Sequence, residues 1–170
     1  MKKIIAYVLF FVGVLLLGGA GFYAWHTLGL QPGVTAGVDV PATVAGFSLV
    51  QTQTGQAAIA AIRQLQGVDY PLSSGLVAEY GQKSATLWLA ETGSQAQALE
   101  LIQNLEGSLA QGGTFTPMGV FQFQNRNVYV LNGADGRTNF YAQSGRKVFW
   151  LAIAPAEAEL AMKELLAFYP

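Results

Sequence analysis

The chain has 170 residues with 9 basic and 10 acidic side chains, a formal net charge of −1, and no cysteine. Lacking cysteine, it has no disulfide framework, no thiolate nucleophile, no cysteine-ligated metal and no thiol lipidation. Charged residues make up 11% of it, against about 25% in ordinary soluble proteins, so the surface has little charge to hold neighbours away.

Ile4 to Trp25 is an apolar run that carries no ionisable group except tyrosine phenols. A helix rises about 1.5 Å per residue, so this run is long enough to cross a hydrocarbon core of roughly 30 Å. Tyr7 near one end and Phe22, Tyr23 and Trp25 at the other form the aromatic flanks of a membrane interface. A cleaved signal peptide would need a shorter apolar centre and a small-x-small site. Gly18-Gly19-Ala20 is the one usable site, and the run continues past it, so an uncleaved signal-anchor is expected. Lys2 and Lys3 precede the run and the next cation is Arg63, which places the N-terminus in the cytoplasm. Gly13, Gly18 and Gly21 leave flat patches where the helix would pack on other membrane helices. The expected layout is a cytoplasmic tail over 1–3, a single-pass helix over 4–25, a tether over 26–40 and an extracytoplasmic domain over 41–170.

His26 to Val40 lacks hydrophobic periodicity and contains Pro32, Gly33 and Gly37, hence the tether. Beyond Pro41 the pattern predicts a strand over Val44–Val50 and a helix over Gln56–Leu65 whose Ala58, Ile59, Ile62 and Leu65 share a face. Leu76–Tyr80 and Ala85–Ala90 read as a hairpin around Gly81–Ser84. A helix follows from an N-cap at Ser94, with Ala98, Leu101, Ile102 and Leu105 inward. Thr114–Gly119, with Pro117, reads as loop. Val120–Gln124, Asn127–Leu131, Thr138–Gln143 and Lys147–Ile153 read as strands joined by turns, and Pro155 opens a last helix. Short turns between successive strands predict an antiparallel sheet with about three helices packed on it, an α+β domain.

Two segments of the domain resemble each other. Tyr80-Gly81-Gln82 leads to Leu87-Trp88-Leu89-Ala90 and a helix; Tyr141-Ala142-Gln143 leads to Phe149-Trp150-Leu151-Ala152 and a helix. This is the pattern of an internally duplicated hairpin–helix unit, with Tyr80, Trp88, Tyr141 and Trp150 either packing in the core or lining a cleft between two halves.

Catalytic chemistry is not written in these residues. His26 is the single histidine and sits beside the expected membrane interface, away from any partner for a triad or metal site. No Walker loop, nucleophile elbow or dinucleotide fingerprint occurs. Glu79, Glu91, Asp69 and Asp135 stand at predicted hairpin ends and turns without the spacing of a catalytic carboxylate pair. Arg126, Arg137, Arg146 and Lys147 gather in the hairpin region and would form a basic patch if their turns met on one edge. With Lys2 and Lys3 set aside, seven basic residues face ten acidic ones, a balance that does not favour nucleic acid.

The sequence therefore predicts a bacterial-type inner- or plasma-membrane protein with a periplasmic or cell-surface domain. The expected role is that of a non-catalytic accessory or assembly subunit, with other membrane subunits and the bilayer as partners and no cofactor. The alternative is an anchored binding module for a small apolar or lipid-like ligand.

Overall fold

A computed structural model describes residues 39–170. The expected membrane helix, with Gly13, Gly18, Gly21, Tyr7, Phe22, Tyr23 and Trp25, lies outside the described residues, as does the tether through residue 38. The elements are β1 (Thr43–Val44), β2 (Phe47–Thr54), α1 (Gln56–Gln66), β3 (Ser74–Tyr80), β4 (Ala85–Glu91), α2 (Gln95–Ala110), β5 (Phe115–Phe123), β6 (Arg126–Gly133), β7 (Thr138–Ser144), β8 (Lys147–Ile153), a 3-10 turn (Pro155–Glu157) and α3 (Ala158–Phe168).

All eight strands join one antiparallel sheet in the order β1-β2-β3-β4-β8-β7-β6-β5, curled into a half-barrel. The chain thus lays down a meander from one edge to the middle, leaves through α2, and lays down a second meander from the opposite edge back to the middle. The domain is an antiparallel sheet with three helices, α+β as the short turns between successive strands predict.

The central strands explain an oddity of the sequence. Leu87-Trp88-Leu89-Ala90 and Val148 to Ile153 are continuous apolar runs, not alternating ones. A strand covered on both faces reads that way. On one face Ala85, Leu87, Phe149, Leu151, Phe140 and Tyr80 pack under Ala161, Leu165 and Leu166 of α3. On the other, Val77, Val148, Trp150, Tyr141 and Tyr129 pack under Ala58 and Ile62 of α1 and Ala98, Leu101, Ile102 and Leu105 of α2. Two cores therefore share one sheet.

Local signals set the helix ends. Ser94 accepts a hydrogen bond from the Gln97 amide at 3.2 Å and starts α2. Gly67 takes the left-handed conformation, φ 64°, and ends α1 by donating to the Arg63 carbonyl at 2.9 Å.

Three boundaries differ from expectation. The predicted strand over Val44–Val50 is broken by a two-residue turn at Ala45 and Gly46, both at positive φ, into β1 and β2. Thr114–Gly119 is not loop: Phe115 onward is β5, and the register shifts between Pro117 and Gly119. Proline lacks an amide donor and is accommodated at an edge strand or a bulge, and here it has both. Pro155 opens the 3-10 turn and not α3 itself, and α3 presents Leu160 and Phe168 outward.

Candidate functional site

Register places one residue from each of four adjacent strands in a single row. Tyr129 of β6 pairs with Tyr141 of β7, Tyr141 with Trp150 of β8, and Trp150 with Trp88 of β4. Tyr129 and Tyr141 stack with ring centroids 4.6 Å apart at 5°, and Tyr141 and Trp150 at 5.0 Å and 14°. Phe115 of β5 leans on Trp150 at 5.0 Å and 60°. The Trp150 indole Nε1 donates to Asn139 Oδ1 at 2.9 Å, and Asn139 Nδ2 donates to the Arg137 carbonyl at 3.1 Å, so both buried polar groups are satisfied. Trp88 is half-buried; Tyr141 and Trp150 are buried.

Tyr80 is not part of this row. It is fully buried on the opposite face of the sheet, where its hydroxyl donates to the Pro41 carbonyl at 3.0 Å. The reason is a parity difference. Tyr80 and Trp88 are eight residues apart across a hairpin that pairs Tyr80 with Ala85, whereas Tyr141 and Trp150 are nine apart and pair directly. A one-residue change in register moves a side chain to the other face. The residue that matches Tyr141 by position is Val77, the partner of Trp88. The helices also part company: α2 covers the face bearing both tryptophans, and α3 covers the other. Trp150 is thus covered by α2 and not by the helix that follows it.

A groove runs beside the outer end of the row, between α2 and the β5–β6 hairpin. Gln95, Leu99, Ile102, Glu106 and Leu109 recur along α2 at spacings of four and three, which puts them on one stripe facing the hairpin. Toward the start of α2 the groove opens into a cleft of about 310 Å³ that also touches Asn125, Asn127, Tyr129 and Gln143. Toward its end lies a second cleft of about 190 Å³, walled by Leu109, Ala110, Pro117, Val120, Leu131 and Tyr141. Tyr129 lines both. Burial raises the Tyr129 and Tyr141 hydroxyls above the ordinary tyrosine range; at Tyr129 a hydrogen bond with Asn127 works against the rise, and the neighbouring Glu106 carboxylate adds to it in both. Both phenols are neutral hydrogen-bonding groups at physiological pH.

The charged residues are brought together differently from a basic patch. The turns of successive hairpins alternate between the two ends of the sheet, so Arg126, Arg146 and Lys147 share one end and Arg137 is at the other. Arg146 pairs with Glu91 at 2.8 Å, Arg137 with Asp135 at 2.7 Å, Arg63 with Asp69 at 3.3 Å, and Lys147 with Asp39. The Arg126 guanidinium donates to the backbone carbonyls of Leu166, at 2.9 Å, and Tyr169. Among the described residues there is no group of three or more His, Asp or Glu placed to hold a metal ion.

Sequence reasoning missed Tyr129 and Phe115 as members of the aromatic cluster. The predicted connection at Asn125-Arg126 is in fact a turn at Gln124-Asn125, with Arg126 opening β6; the signal for Tyr129 lay in the next hairpin, where pairing Asn132 with Thr138 brings Tyr129 opposite Tyr141. Comparison with protein-family models, with curated proteins and with solved structures returns no match.

Proposed function

We propose that this chain is a membrane-anchored, non-catalytic accessory subunit of a membrane protein complex. Ile4–Trp25 crosses the bilayer with the N-terminus in the cytoplasm, and the domain from Pro41 docks on a partner outside. The anchor rests on the length of the apolar run and on Lys2 and Lys3 before it. The same reading takes the domain as two copies of a hairpin–helix unit meeting at Trp88 and Trp150, about which the strand order is symmetric, with the helix of the second copy carried to the other face.

The observation that carries the docking reading is β5. It is an edge strand of nine residues, Phe115–Phe123, without a charged side chain, and it exposes Met118 and Val120. Natural edges are usually shielded by charge, by shortness or by a bulge. The opposite edge is short, two residues of β1. On β5 the bulge and Pro117 shield only the first half. Gln124 and Asn125, both at positive φ, close a two-residue hairpin with Phe123 paired to Arg126. Alternation from that pair turns the amides and carbonyls of Gln122 and Val120 outward. An extended, uncharged segment of a partner subunit adds there as a ninth strand. The pairing of Arg146, Arg137 and Arg63 with carboxylates supports a structural use of the charged groups.

A photo-crosslinking amino acid placed at Met118 of the full chain, in native membranes, tests this. One dominant heterologous adduct, lost in Val120→Pro, is expected. Self-adducts alone, or a chain that elutes as a bare monomer after mild solubilisation, overturn the reading. Gly13, Gly18 and Gly21 replaced by Leu should also loosen the complex while leaving insertion intact; unchanged co-purification reduces the helix to a plain anchor.

A further inference from the structure

We infer that the groove between α2 and the β5–β6 hairpin is a ligand site for a neutral, hydroxyl-rich head group carrying a small apolar substituent, the chemistry of an aryl or short-alkyl glycoside. The larger cleft, at about 310 Å³, falls within the range of roughly 300–1,000 Å³ that small-molecule sites occupy. Its polar wall consists of the carboxamides of Gln95, Asn125, Asn127 and Gln143. Each carboxamide offers both donors and an acceptor, the complement of a hydroxyl, which also does both. No carboxylate lines this cleft, and its one cation, Arg126, is already bonded to the Leu166 and Tyr169 carbonyls. The Gln143 amide nitrogen is held by the carbonyls of Gln95 and Gly145, at 3.1 and 3.0 Å, which fixes the side chain and leaves its oxygen as an acceptor. A cationic ligand finds no carboxylate in this cleft, and two of the Arg126 donors are already committed to carbonyls; a neutral polyol finds bonding groups on one wall and the apolar bodies of Leu99 and Ile102 on the other.

The smaller cleft completes the assignment. It continues along the same stripe of α2, past Tyr129, and its walls are apolar apart from Glu106 and the tyrosine hydroxyls. At about 190 Å³ it is too small to be a ligand site by itself and suits one ring or a short chain. Glu106 lines the smaller cleft beside Tyr129, the residue that lines both, and accepts a hydroxyl at the junction of head and substituent. The row of stacked rings behind Tyr129 keeps that residue in place between the two halves.

The test uses the full chain in lipid nanodiscs and 4-fluorophenyl β-D-glucoside, followed by fluorine NMR. A saturable shift is expected. Glucose and 4-fluorophenol alone should each compete at least about tenfold more weakly. Asn127→Ala, at an exposed position, and Ala110→Trp, which fills the apolar cleft from an exposed position, should each weaken binding about tenfold or more, whereas Lys163→Ala on α3 should not. Absence of a saturable shift overturns the proposal. So does a shift that survives both groove variants, which signals partition elsewhere, or fluorophenol binding as tightly as its glucoside. None of these outcomes bears on docking at β5, which the cross-linking experiment reads separately.

Discussion

Trp150 and Asn139 are bonded side chain to side chain within the sheet, Nε1 to Oδ1 at 2.9 Å, and both are buried. The bond ties the centre of the aromatic row to the β6–β7 turn through Asn139 and the Arg137 carbonyl. Trp150→Phe keeps a ring but strands the amide oxygen, and an unsatisfied buried acceptor costs about 1–3 kcal/mol. Stability in urea, read by far-UV circular dichroism, should fall by that amount. Asn139→Ala should cost less in the Trp150→Phe background than in the natural chain, since the shared bond is already gone.

Neighbouring residues of β5 should respond to proline in opposite ways. Val120 turns its amide outward, so Val120→Pro removes no bond of the ladder and should change stability little while abolishing partner capture. Phe121, paired with Val128, directs its amide inward. Phe121→Pro should therefore destabilise by about 1–3 kcal/mol for the orphaned group, with lost packing in addition. Equal destabilisation by the two would mean that the outward direction of the Val120 amide is wrong.

Arg126 closes the domain at the end of α3. Its guanidinium donates to the carbonyls of Leu166 and Tyr169, groups that the helix end leaves without an intrahelical partner. Arg126→Met should lower stability by about 1.5–3 kcal/mol, the range for hydrogen bonds from charged donors. Amide exchange at Tyr169, bonded to Leu165 at 2.9 Å, should quicken. Arg126→Lys should recover only part of the loss, because a point charge does not span two carbonyls as a planar fork does.

Alkaline pH should unfold the domain through its tyrosines. Burial pushes the hydroxyls of Tyr80, Tyr141 and Tyr169 well above the ordinary value of 10.0. Tyr80 and Tyr169 also donate to the Pro41 and Asp39 carbonyls, at 3.0 and 2.8 Å, holding down the start of the domain. With the folded pKa raised, the unfolded chain loses these protons first. Their contribution is therefore complete below pH 10 and is lost as pH rises above it, with a slope of about 1.4 kcal/mol per pH unit for each tyrosine. Urea midpoints across this range, together with tyrosinate absorbance, check the sign. Tyr80→Phe should flatten the decline by one tyrosine's share.

Much of the architecture is legible along the chain because local chemistry produces it. The inward stripe Ala98, Leu101, Ile102 and Leu105 follows from helical period, and the start and stop at Ser94 and Gly67 follow from capping. β5 was half hidden because Pro117 is a loop signal until one knows that the strand lies at an edge, where a missing donor breaks no ladder bond. The Tyr-to-Trp likeness of the two hairpins was visible too, but its meaning depended on register.

What the sequence alone determined is the class of domain, its helices and most of its strands, and the expectation of a membrane anchor; each follows from periods and runs within a few turns of chain. Only the tertiary structure decided that Tyr80 and Tyr141 lie on opposite faces, and that Tyr129 rather than Tyr80 completes the row. It also decided that α2 forms a groove with a hairpin lying beyond it in sequence. Strand pairing sums residue offsets over several turns, and a single residue of error inverts a face. Composition carries no record of that count.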